Sequence, residues 1–114
     1  MDNRHFSRYF IFNKALRKTN KHAGHKVTGQ QASVLYAIKI LKGYSTANHI
    51  SRQMGQANRL LHANNLITQL RYLSGLNFIV PEPFGQFNRY TITPAGTDYL
   101  LTLEKFMRWE RPDK

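Results

Sequence analysis

The sequence predicts a mainly α-helical domain that carries one small antiparallel β-hairpin. Three observations lead to this α+β fold class. Apolar residues recur at helical spacing in five segments of the chain. Two short runs rich in β-branched and aromatic residues, 77–80 and 89–92, flank a glycine turn. The 114 residues suit a single domain, and 41% hydrophobic residues can form a modest core.

The first predicted helix covers residues 3–18, and the polar stretch 18–29, which contains two glycines, predicts a loop. The predicted inner face of this helix is rich in aromatic side chains, and Phe12 lies off it. That face comprises Phe6, Tyr9, Phe10, Asn13 and Leu16.

The next two predicted helices are short. One begins after Thr28, whose hydroxyl can cap the first turn, and stops at Gly43. The other begins after Ser45. It either ends at Gly55 or continues past it, because near-helical apolar spacing persists to Leu61.

The fourth predicted helix covers residues 64–74 and leads through a glycine into the first strand, 77–80. We expect Pro81 and Pro83 to stop this strand, because proline cannot donate to a ladder. The second strand covers 89–92. The inner face of the fourth helix is predicted to carry Leu66, Ile67, Leu70 and Leu73.

The last predicted helix follows the second strand without a loop. Thr93 serves as its N-cap and Pro94 as its first residue, where a missing N–H costs nothing. Its apolar stripe includes Tyr99, Leu100, Leu103, Phe106, Met107 and Trp109.

Basic residues dominate the chain, with 17 Lys and Arg against six Asp and Glu, and a formal net charge of +11. No carboxylate side chain occurs between Asp2 and Glu82, whereas four of the six acids lie in the last 17 residues. A surface without carboxylates attracts polyanions, of which nucleic-acid backbones are the commonest. A ribosomal role, a membrane-surface role or a basic surface without a specific partner stays open at this point.

The order helix, helix, helix, hairpin, helix within this chain resembles a winged helix-turn-helix domain. Two places that carry the resemblance are LRYLSGLNFI, a helix running through glycine into a strand, and the turn at Gly85. The third, YTITPAGTDYL, is similar to the strand-to-helix junction of MarR- and PadR-type regulators. In that group a Tyr, an apolar residue and a Thr precede a Gly and a helix. The matching residues here are Tyr90, Ile92, Thr93 and Gly96.

The resemblance covers about residues 30–105. It implies a winged helix-turn-helix fold with extra N- and C-terminal helices. We therefore expect one domain over residues 1–114, with an N-terminal helix at 3–18, a winged-helix core at 28–93 and a C-terminal helix at 94–110.

The outward face of the fourth helix is polar and has no acid. Amide side chains bond adenine edges, Arg pairs with guanine, and Thr offers a methyl group to thymine. In the fold that this chain resembles, the N-terminal residues of the recognition helix lie closest to the bases of the major groove. This puts Asn64, Asn65 and Thr68 first. The complete candidate set on this helix is Asn64, Asn65, Thr68, Gln69, Arg71 and Tyr72, with Tyr72 as a phosphate donor.

Two further groups of residues are predicted to contact DNA. The resemblance puts the wing tip at the adjacent minor groove, with Gln86, Asn88 and above all Arg89 as contacts. We expect Phe87 to fold back onto the base of the wing rather than to stand out as an exposed wedge. Backbone phosphates suit Ser45, Asn48, Arg52 and Arg59.

A second basic stretch could grip flanking DNA or simply be solvated, and consists of Lys14, Arg17, Lys18, Lys21 and Lys26.

The first predicted helix is unusually aromatic and the last carries a broad apolar stripe. One small core cannot easily cover both. We expect a homodimer formed through these helices, which would suit two-fold DNA sites. The alternative is that the two helices pack on each other within one chain. The aromatic side chains between the core and these helices leave a small-molecule effector pocket open as an alternative, although no polar constellation defines one.

Other chemistry finds little support. The chain has no cysteine, so disulfides and thiolate metal sites are excluded. His22 and His25 lack an acid nearby, and Glu82 is the only carboxylate between residues 3 and 97. No phosphate-binding glycine loop, catalytic triad or membrane-length apolar run occurs. We therefore expect a cytoplasmic binding protein without a metal or cofactor, not an enzyme.

The leading hypothesis is sequence-specific binding of double-stranded DNA, as in a transcriptional regulator. One alternative is a DNA-binding accessory protein of a mobile element, acting in replication, excision or transfer. Another is a winged-helix module that binds a protein or RNA. The RNA alternative lacks the paired exposed aromatics on a sheet that single-strand binders use.

Overall fold

The computed structural model describes residues 3–42, 45–54 and 63–109, with side chains described within 10–42, 45–54 and 65–108. These ranges contain five helices and one antiparallel hairpin, which confirms the predicted mainly α fold class. The elements are α1 (Asn3–Ala23), α2 (Gly29–Leu41), α3 (Ala47–Met54), α4 (Ala63–Gly75), β1 (Ile79–Phe84), β2 (Phe87–Ile92) and α5 (Pro94–Trp109).

The first helix is longer than predicted, because it runs past residue 18 to Ala23. Gly24 ends it in a left-handed conformation with φ 75°, and the N–H groups of Gly24 and His25 both donate to the Asn20 carbonyl. The polar residues after 18 therefore continue the helix instead of forming a loop.

The second helix begins as predicted. The Thr28 hydroxyl accepts from the Gln31 N–H at 3.1 Å, and the Gln31 side chain accepts from the Thr28 N–H at 3.0 Å. The helix ends at Leu41, and Lys42 follows with φ 47°. Gly43, and the question whether α3 continues past Gly55, lie outside the described residues.

The core collects one face from every helix and the base of the hairpin. Its largest fully buried residues include Leu35, Ile38, Ile50, Leu70, Leu73 and Ile79. Two predicted faces need correction. On α1, Phe12 packs against the core, whereas Phe10 is 56% exposed. On α4, Ile67 is 40% exposed, because the buried series runs through Leu66, Leu70 and Leu73.

Helices α1 and α5 pack on each other within the chain. The Tyr99 hydroxyl donates to Asn20 Oδ1 at 2.6 Å, and the rings of His22 and Phe106 meet edge to face with centroids 6.4 Å apart. Burial raises the pKa of Tyr99 above its ordinary value, and the neighbouring Tyr72 raises it further. The Tyr99 hydroxyl therefore remains a proton donor.

The prediction that Pro81 and Pro83 stop the first strand is wrong, because β1 runs through both of them to Phe84. In an antiparallel pair, hydrogen-bonded and non-hydrogen-bonded pairs of facing residues alternate. Pro81 faces Tyr90, whose N–H donates to the Ser45 carbonyl at 3.0 Å instead of to β1. Pro81, and Pro83 two residues further on, therefore occupy positions where the ladder needs no N–H.

The junction between β2 and α5 is built as predicted. The Thr93 hydroxyl accepts from the Gly96 N–H at 3.1 Å and donates to the Asn77 carbonyl at 2.6 Å. The Thr93 N–H donates to the Phe78 carbonyl at 3.0 Å. One residue thus caps α5 and ties its start to the connection that precedes β1, which leaves the hairpin no flexible linker at its base.

Candidate nucleic-acid interface

The outward face of α4 presents the side chains of Asn65, Thr68 and Arg71, all of them exposed. The opposite face is anchored by Leu66, Leu70 and Leu73, each no more than 3% exposed. Asn64 belongs to α4, but its side chain lies outside the described ones. The helix therefore offers an amide, a hydroxyl and a guanidinium on one rigid element.

The Gln69 side chain is directed toward α2 rather than toward solvent. Its Oε1 accepts from Gln31 Nε2 at 2.6 Å, and its Nε2 donates to Gln30 Oε1 at 3.5 Å. Both ends of the amide are thus engaged within the chain. We accordingly remove Gln69 from the residues proposed to contact bases.

Tyr72 also has an internal role. Its hydroxyl donates to the Lys26 carbonyl and so ties the loop between α1 and α2 to α4. The predicted phosphate contact would have to break or share this hydrogen bond. The same contact brings the exposed Lys26 beside α4, which extends the basic surface beyond the helix itself.

The positive charge of Arg89 on the hairpin is paired with a carboxylate of the same hairpin. Arg89 pairs with Glu82 across the hairpin, with Nη2 and Oε2 3.3 Å apart, and its guanidinium lies over the Phe84 ring at 5.2 Å. Arg89 Nε is buried and has no hydrogen-bond partner among the described residues. The predicted role of Arg89 as the main minor-groove contact is weakened by this arrangement.

The wing tip is aromatic and exposed. Gly85 and Gln86 form a two-residue turn, with Gly85 at φ 63°, and Phe84 faces Phe87 across it. Phe87 is 65% exposed, so the expectation that it folds back onto the wing base is wrong. Gln86 and Asn88 are exposed beside it. The outward direction depends on strand register, which the two prolines obscured in the sequence.

The predicted phosphate contacts around α3 are divided. Asn48 and Arg52 are exposed and four residues apart, which places them on one face of α3. Ser45 is fully buried, and its hydroxyl donates to the Ile38 carbonyl at 3.4 Å, so its prediction as a phosphate contact is wrong. Its place beside α3 led to that prediction, but the hairpin packs on it, and the Tyr90 N–H donates to its carbonyl. Arg59 lies outside the described residues.

The second basic stretch continues along α1. Lys14, Arg17, Lys18 and Lys21 are all exposed on this helix, and the core lies on its other side at Ala15, Leu16 and Thr19. Together with Lys26 these residues form a surface that would interact favourably with a polyanion.

The described residues offer neither a membrane-spanning helix nor a metal centre. None of the helices there is both long enough and apolar enough to cross a membrane. The same part of the chain contains no group of three or more histidine or acidic side chains that could hold a metal ion.

Solved structures of transcription regulators superimpose on nearly the whole chain. A MarR family transcription regulator does so with a TM-score of 0.69 at 18% identity, over 95% of this chain and 67% of its own. A MarR family regulator from Silicibacter pomeroyi gives 0.65 at 19% identity, over 90% and 66%. MepR, a transcription regulator of the Staphylococcus aureus multidrug efflux pump MepA, gives 0.69 at 16% identity, over 96% and 78%.

Because these superpositions span 90–96% of the chain at 16–19% identity, they establish the fold alone. The chain has the winged-helix architecture of MarR family regulators, as the junction motif indicated. It spans about two thirds to three quarters of the length of those proteins. No protein-family model matches the sequence, and neither does any curated protein.

Proposed function

We propose that this chain binds double-stranded DNA with sequence preference and acts as a transcriptional regulator in the cytoplasm. The observation that carries the proposal is the exposed, acid-free outer face of α4, with Asn65, Thr68 and Arg71, within a winged-helix fold. Helices in this position of the fold enter the major groove, where these side chains can read base edges.

The surrounding charge supports the same partner. Asn48 and Arg52 on α3, and Lys26 beside Tyr72, suit contacts with phosphates on either side of the groove. The net charge of +11 would speed association and would make binding strongly dependent on salt. Phosphate contacts thus position the helix, and α4 supplies the preference.

We also propose that the functional unit is a homodimer formed through α1 and α5. These helices pack on each other within the chain, yet each leaves a large apolar side chain exposed: Phe10 on α1 and Leu101 on α5, at 56% and 49%. A two-fold arrangement would cover them and would place two copies of α4 on one duplex.

Selection of bound sequences from a random duplex pool tests this function. We expect a short enriched motif with two-fold symmetry, and an affinity that falls by about one logarithmic unit per logarithmic unit of salt for each phosphate neutralised. Structured RNA and single strands serve as competitors. An affinity that is flat with salt, or no enriched duplex motif, would refute the proposal.

Two substitutions separate reading from positioning. Asn65→Ala should relax the preference at one base pair, costing about 1–3 kcal/mol on the cognate site only. Arg52→Ala should weaken binding to all duplexes evenly. It should also lower the slope of log affinity against log salt by about one. Each variant is the control for the other. Identical effects on cognate and unrelated duplexes would remove Asn65 from base reading.

A further inference from the structure

The outer face of the hairpin ends in two exposed phenylalanines. Side chains alternate between the faces of a strand, so the facing pairs Val80–Thr91, Glu82–Arg89 and Phe84–Phe87 share one face. At 54% and 65% exposure, Phe84 and Phe87 are among the most exposed large apolar side chains of the described residues. Exposed apolar clusters usually mark a binding surface.

The hairpin holds this aromatic pair in a defined position. Its base is fixed by Ile79, which is buried, and by the hydrogen bond from the Tyr90 N–H to the Ser45 carbonyl. Its tip closes in the two-residue turn at Gly85 and Gln86. The two rings are therefore carried on a short ladder, and binding would cost little ordering entropy.

The wing is electrically neutral as a unit. Glu82 and Arg89 are the only charged residues from 79 to 92, and they pair with each other. The guanidinium that could enter a minor groove also lies over the Phe84 ring. The hairpin therefore contributes to binding through contacts other than attraction by a net charge.

The strand edge of the hairpin is not suited to a partner that adds a strand. Pro81 and Pro83 lie at the positions of β1 whose backbone groups point away from β2. Neither has an N–H, so the outer edge lacks the donors that strand addition needs. The phenylalanine side chains remain as the binding feature of the wing.

We propose that Phe87, supported by Phe84, is an apolar wedge that inserts at a base step of bound DNA. The inference rests on the proposed duplex binding and adds to it how the wing engages the duplex. The carboxylate-free surface from residue 3 to 81 draws the polyanion in, whereas the neutral tip matches the uncharged faces of stacked bases. Apolar side chains inserted at flexible steps unstack them and bend the duplex.

The test uses the full chain and a duplex of about 30 base pairs that contains the site selected from the random pool. 2-Aminopurine replaces each adenine in turn, and its fluorescence reports unstacking, while end-to-end energy transfer reports bending. We expect the wild type to raise the fluorescence at a step next to the α4 contact and to shorten the end-to-end distance.

Phe87→Ala should abolish both signals and weaken binding at least about fivefold, the effect of removing one stacked contact, with an unchanged salt slope. Phe84→Ala should reduce both signals. Arg89→Gln should weaken binding less than Phe87→Ala does. Tyr36→Ala, which removes another exposed aromatic side chain on α2, is the matched control and should change neither signal.

The outcomes distinguish this inference from the function on which it depends. Wild-type binding without unstacking, or Phe87→Ala binding and bending DNA as the wild type does, overturns the wedge and leaves duplex recognition standing. A Phe87→Ala variant that changes only the oligomeric state also overturns the wedge. Failure of the wild type to bind any duplex overturns both proposals.

Discussion

At the scale of single residues, Gly96 shows why the junction motif has a glycine. A Cβ atom at this position would overlap the Phe78 carbonyl oxygen and lie 2.9 Å from Ile92 Cγ1. Its backbone must approach closely because the Phe78 carbonyl also accepts from the Thr93 N–H. The requirement is for space rather than for an unusual backbone angle.

Gly96→Ala should therefore destabilise the protein by about 1–3 kcal/mol, the usual cost of forcing a methyl group into a packed site. Gly75→Ala is the control, because a Cβ at Gly75 meets nothing within 4 Å. Urea unfolding followed by circular dichroism measures both variants. If the two variants have the same stability, the close approach at Gly96 is not what the fold needs there.

At the scale of elements, the Asn20 side chain joins three parts of the chain. Its Nδ2 donates to the Val27 carbonyl at 2.8 Å, and its Oδ1 accepts from the Val27 N–H at 3.1 Å. The Tyr99 hydroxyl donates to the same Oδ1. The amide thereby closes the loop between α1 and α2 and connects it to α5.

Asn20→Ala should lower the free energy of unfolding by about 2 kcal/mol, because three hydrogen bonds are lost and partly buried groups stay unpaired. Tyr99→Phe removes one of the three and should cost less. Asn48→Ala, at an exposed position on α3, should leave stability nearly unchanged. Thermal and denaturant unfolding would rank them, and equal stability of Asn20→Ala and Asn48→Ala would contradict the account.

At the scale of the whole molecule, a basic surface and an apolar helix pair have different consequences. Charge favours solubility and association with polyanions. The apolar residues left exposed on α1 and α5 favour self-association instead. A dimer through these helices satisfies both tendencies, since the outward face of α4 is left for DNA.

Light scattering should therefore give a mass of about twice 13.3 kDa for the wild type. Phe10→Asp and Leu101→Asp should each shift it toward the monomer, because a dimer would bury an unpaired charge. Tyr36→Asp, at a similarly exposed position on α2, should not. A wild-type monomer at concentrations where DNA binding is complete would refute the dimer.

Local patterns were sufficient for much of this protein. The helical spacing, the caps at Thr28 and Thr93 and the junction motif with Gly96 predicted the fold class, because each depends on residues only a few positions apart. The polar, acid-free face of α4 followed from periodicity in the same way. Charge distribution needs no folding at all to be read, and it pointed to a polyanion.

Tertiary structure decided which of these side chains remain available. Ser45 is enclosed by the hairpin, Gln69 bonds to α2, and Arg89 pairs with Glu82 across the ladder. The outward direction of Phe87 depends on a strand register that runs through two prolines. Each outcome depends on a partner that is distant in sequence or lies on the facing strand of the hairpin. The spacing of neighbouring residues therefore does not predict these contacts.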